Sequence, residues 1–74
     1  MHTHMIMDRY GDTRHSFDPS DVASLAEAEA RYRELTTMGY TAVALGKDGF
    51  QNRLIRHFDP ATEQTLFIPR FVGG

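Results

Sequence analysis

Apolar positions along the chain follow two periods. Val22, Leu25, Ala28, Tyr32 and Leu35 recur at spacings of three and four, which puts them on one face of a helix. Ser24 and Glu27 have the spacing of a capping box, so the regular helix can start there. Asp18 followed by Pro19 offers an earlier start, with Pro in the first turn. Gly39 suits the helix end, because it takes the left-handed conformation without a Cβ penalty. Glu27 with Arg31 and Glu29 with Arg33 form acid-then-base pairs four residues apart, a pattern expected on a solvated face.

The remaining segments alternate with period two. "HMIMDRY" and "RHSF" flank "GDT", which predicts an N-terminal hairpin. "YTAVALG" after the helix is rich in strand formers, "KDG" reads as a turn, and "NRLIRHF" as a strand. "DPATEQ" is a loop with Pro60 placed for a turn, and "TLFIPRF" is the last strand. The predicted order is β-β-α-β-β-β. The fold class is α+β: one helix packed on a four- to five-stranded, mainly antiparallel sheet. The stretch 52–69 reads most simply as an antiparallel hairpin, with the last strand beside the fourth.

One helix covers one face of a sheet, yet both faces here carry apolar side chains. Leu54 and Phe58 alternate with Ile55 and His57, and Leu66 and Ile68 with Phe67 and Phe71. Some of Met5, Met7, Ile55, Phe67 and Phe71 are therefore expected on the uncovered face or under another chain. A contiguous patch there marks an interaction surface; loops and arginine stems are the alternative cover.

At 74 residues the chain makes one domain, 1–74, with a small core and a flexible tail from about residue 71. Without cysteine it has no disulfide, thiolate metal site or thiol nucleophile. A net charge of −2 argues against nucleic acid as partner. The sequence has no long apolar run and no signal-peptide pattern, so a cytoplasmic protein with no membrane partner is expected.

The sequence closes on "LFIPRFVGG". This end resembles the small sulfur-carrier subunits of molybdopterin synthase, which close on a proline-containing stretch and Gly-Gly. The element order resembles the β-grasp fold of ubiquitin-like proteins, whose last strand lies centrally, parallel to the first. The resemblance implies that the Gly74 carboxylate is adenylated by an activating enzyme and passed to a thiol or converted to a thiocarboxylate. Gly73, lacking a Cβ, lets the backbone thread a narrow channel. Residues 70–74, extended, reach roughly 15 Å. Arg70, Phe71 and Val72 are then what the partner enzyme reads.

Other chemistry is thinner. His2 and His4 alternate on one side of a strand and with the terminal amine can bind copper or nickel, although solvated histidines are the plainer reading. His15 and His57 lie on separate strands, with Asp8, Asp12 and Asp59 as candidate partners, but no nucleophile is placed beside them. Arg9, Arg14, Arg53, Arg56 and Arg70 form a basic stripe only if they share a face. The expectation is a non-enzymatic protein-interaction module without cofactor. Its sharper form is a ubiquitin-like modifier or sulfur carrier working through Gly73 and Gly74. The alternative is an adaptor or homodimer that uses the uncovered sheet face, with partner contacts at Ile55, His57, Phe67, Arg70 and Phe71.

Overall fold

A computed structural model describes residues 1–46 and 52–69. In chain order the elements are β1 (His2–Asp8), β2 (Gly11–Phe17), α1 (Val22–Thr37), β3 (Thr41–Ala44), β4 (Arg53–Ile55) and β5 (Gln64–Ile68). The expected β-β-α-β-β-β order and α+β class hold. The "KDG" turn lies outside the described residues.

The first hairpin turns earlier than "GDT" suggests. Asp8 pairs with Gly11, so Arg9 and Tyr10 alone connect the strands. The Asp8 Oδ1 accepts the Tyr10 amide at 2.7 Å, and Gly11 takes φ +129°, a value that favours glycine.

Asp21, rather than Ser24, caps the helix: its carboxylate accepts the Ser24 amide at 3.3 Å. The Ser24 hydroxyl turns outward from the helix and accepts the Asp18 amide at 2.9 Å, tying the lead-in to the first turn. Asp18 also takes the Ser20 amide and hydroxyl, and these bonds lower its pKa. At the other end Gly39 donates to the Thr36 carbonyl and Tyr40 to the Leu35 carbonyl, a Schellman closure with Gly39 at φ +102°. Ala28, Tyr32 and Leu35 are buried as the periodicity predicts; Val22, at the first turn, is exposed. Glu29 pairs with Arg33 at 3.0 Å, whereas Arg31 turns its Nη1 into a buried position without a partner.

The sheet order is β2-β1-β5-β3-β4. This corrects the expected hairpin between the last two strands. β5 lies between β1 and β3, parallel to β1 and antiparallel to β3. Two backbone bonds set its start: Thr3 N–H to the Glu63 carbonyl at 2.8 Å and Leu45 N–H to the Gln64 carbonyl at 3.0 Å.

The physical cause lies in the connection. β4 ends at Ile55, whose carbonyl accepts the Tyr32 hydroxyl at 3.3 Å. The chain then leaves strand geometry, and Phe58 packs its ring against His4, Phe17 and Tyr32. Asp59 turns the chain back, its carboxylate accepting the Ala61 amide and its carbonyl the Thr62 amide. A hairpin would forfeit the burial of Phe58. "TLFI", apolar on both faces, suits a central strand.

The core forms around Phe67, which is fully buried, with Tyr32, Leu35 and Ala42; Ile6, Tyr40, Ile55 and Phe58 pack around it. Ala42, Ala44 and Ala28 are small, which lets the helix approach the large rings closely.

Candidate functional site

The registers fix which side chains share each face. Beneath the helix lie His2, His4 and Ile6 of β1 with Phe17, His15 and Thr13 of β2 opposite them. Thr65 and Phe67, Ala42 and Ala44, and Arg53 and Ile55 continue that face across the sheet.

On the other face, against which no described element packs, the registers set one apolar row between polar positions such as Thr3, Gln64 and Thr41. Met5 pairs with Leu66, Leu66 with Val43, and Val43 with Leu54, so one row crosses four strands. Met7 and Ile68 extend it toward the end of the sheet. Met5, Val43, Leu66 and Ile68 are half-buried, and Leu54 is 67% exposed. Arg14, opposite Met5, borders the row on the β2 side and pairs with Asp12 at 3.5 Å.

This placement corrects the sequence expectation for two residues. Ile55 and Phe67, expected on the uncovered face, turn toward the helix, and Phe67 is the centre of the core. The reason is strand register: Ala42 lies between them in the sheet, and all three point under the helix. Met5 and Met7 lie on the uncovered face as expected. Val43, Leu54, Leu66 and Ile68 supply the rest of its apolar row. His57 is exposed, beside Arg56 and Phe58 at the β4 edge. Arg70, Phe71, Gly73 and Gly74 lie outside the described residues.

Beside the row, at the end of the sheet, a groove of about 550 Å³ is lined by Met7, Asp8, Arg9, Tyr10, Tyr40, Ile68 and Pro69. Its wall is the first hairpin's turn on one side and the end of β5 on the other.

The histidines sort differently from expectation. His4 is not solvated: it is 1% exposed, ringed by Phe17, Phe58 and Phe67 at centroid distances of 4.9 to 6.2 Å. Its Nδ1 has no hydrogen-bond partner. Burial, then the charges of Arg31 and His15, push its pKa down to about 4. His2 stacks edge-on against Phe17. Among the described residues no three His, Asp or Glu side chains gather to hold a metal.

His15 belongs to β2 and His57 follows β4, at opposite edges of the sheet, so they do not meet as a pair. Arg14 and Arg53 likewise lie at opposite edges and on opposite faces, so the arginines do not form one stripe.

Comparison with protein-family models, with curated proteins and with solved structures finds no match to this chain. No helix among the described residues is long and apolar enough to cross a membrane.

Proposed function

We propose that this chain is a small protein-binding module that meets its partner through the sheet face the helix leaves uncovered. The observation that carries the reading is the unbroken row Met5, Leu66, Val43 and Leu54, continued by Met7 and Ile68 into the groove. Apolar side chains aligned across four strands form a surface that gains free energy by losing water. The reading assigns no reaction to the chain itself and calls for no cofactor.

A direct test is recovery of N-terminally tagged protein from its native host, with Leu54→Glu and Glu34→Arg in parallel. A partner that co-purifies in fixed ratio with the wild type and Glu34→Arg, but not with Leu54→Glu, is the expected result. Equal recovery by all three would place the contact elsewhere.

A second reading is supported by the strand order. A last strand in the middle of the sheet, parallel to the first, is what the β-grasp resemblance implies. In a ubiquitin-like modifier or sulfur carrier, the uncovered face would hold the activating enzyme while the Gly74 carboxyl reacts. Mass spectrometry of the protein from its host tests this. A thiocarboxylate or an amide-linked Gly74 supports it, and an unmodified terminus whose deletion is harmless removes it.

A further inference from the structure

We infer that β2 is a pairing edge for a second copy of this chain, joined antiparallel about Thr13. The proposal concerns the sheet edge and does not depend on what binds the uncovered face.

The two edges of the sheet differ. β4 is three residues long, and Arg53 at its start reaches Asp59 at 3.8 Å. β2 is seven residues long, pairs with β1 at every position, and contains neither proline nor bulge. Among the described residues no strand pairs with its other side, so this edge presents a regular row of backbone groups without a ladder partner.

The direction of those groups follows from β1. Thr3 donates its amide to Glu63 on the β5 side, so Thr3 and Ser16 are a non-hydrogen-bonded pair of the hairpin. Pairs alternate along an antiparallel ladder, so Met5 with Arg14 and Met7 with Asp12 are also non-hydrogen-bonded. The N–H and C=O groups of Asp12, Arg14 and Ser16 therefore point away from β1, to the open edge. A partner strand hydrogen-bonds through groups of this set.

Side-chain charge selects the occupant and the register. A two-fold axis at Thr13 sets Asp12 of each copy opposite Arg14 of the other, in two hydrogen-bonded pairs, with Thr13 facing Thr13. Both charged side chains lie on one face and are largely solvent-accessible, 53% for Asp12 and 70% for Arg14. An axis at Arg14 would oppose two arginines, and one at Asp12 two aspartates. Opposite charges directly across a ladder stabilise it, and like charges destabilise it. The resulting ten-stranded sheet would continue the uncovered face of one copy into that of the other.

The test is sedimentation equilibrium of the full chain, with Asp12→Arg and Arg14→Asp, each checked for fold by circular dichroism. Each variant alone places like charges opposite one another, and its self-association should weaken about tenfold. Mixed, the two variants place Arg opposite Asp at both positions, so heterodimers should form with an affinity near that of the wild type. A wild type that stays monomeric throughout the concentration series overturns the proposal. So do variants that dimerise unchanged, or folded variants whose mixture does not associate.

Discussion

Lowering the pH should destabilise this protein through His4. The side chain is shut beneath the helix among three phenylalanine rings, and its Nδ1 bonds to nothing. The groups around it give a proton no help. His15 faces it from β2, Arg31 adds positive charge from the helix, Thr65 lies opposite on β5, and His2 shares its side of β1. The imidazole's pKa falls from 6.5 to about 4 on folding. Between those values the unfolded chain holds the extra proton, so stability rises with pH across the window. The stability is fully present above pH 6.5 and is lost as the pH falls toward 4. The loss is about 2 kcal/mol by pH 5 and about 3 kcal/mol by pH 4. A domain of this size is stable by roughly 4 to 10 kcal/mol, so the loss is a large share of the whole.

The assay is urea unfolding at a series of pH values, for the wild type and for His4→Leu, a substitution close in volume. Carboxylates such as Asp18 titrate in both proteins and cancel in the difference. The stability difference should move by about 3 kcal/mol in favour of the variant between pH 7.5 and 4. A difference that stays flat over that range would mean that His4 binds its proton as readily folded as unfolded. The enclosed, uncharged placement of the ring would then be mistaken.

Other substitutions separate core from surface. Phe67→Ala should cost about 3 to 5 kcal/mol, read by urea unfolding, because it empties the middle of the core. Leu54→Glu, on the uncovered face, should change stability by less than about 0.5 kcal/mol in the same assay. Asp21→Ala should cost about 1 kcal/mol by loss of the helix cap, whereas Ser24→Ala should leave the cap's own bond in place, which amide exchange at Ser24 distinguishes. Gly39→Ala should cost about 1 kcal/mol or more in thermal unfolding, since alanine is strained at φ +102°.

The local signals were legible because they are local. The helix span follows from its three-and-four period, its end from Gly39, and the Asp59 turn from Pro60 and the aspartate before it. The hairpin was legible too, although Arg9 and Tyr10 rather than "GDT" make its turn. Strand order was not. It goes with the chain leaving strand geometry before Phe58, whose ring reaches His4, Phe17 and Tyr32, and no nearby residue announces that contact. The same long-range pairing decides the faces. In β5, Leu66 and Phe67 are equally apolar neighbours. Which one is buried follows only once Ala42 and Ala44 stand beside β5 and leave room for a ring under the helix. His4 follows the same rule. A histidine near the N-terminus suggests solvent, but pairing His2 with Phe17 brings that side of β1 under the helix.

On the proposed reading, this protein touches its partner through the sheet face opposite the helix. The most direct measurement is photo-crosslinking in the native host, with the photoreactive residue at Leu54 and, as reference, at Glu34 on the exposed side of the helix. A discrete adduct of defined mass at Leu54, absent at Glu34, is the predicted result. Adducts at Glu34 alone, or the same diffuse background at both positions, would contradict it.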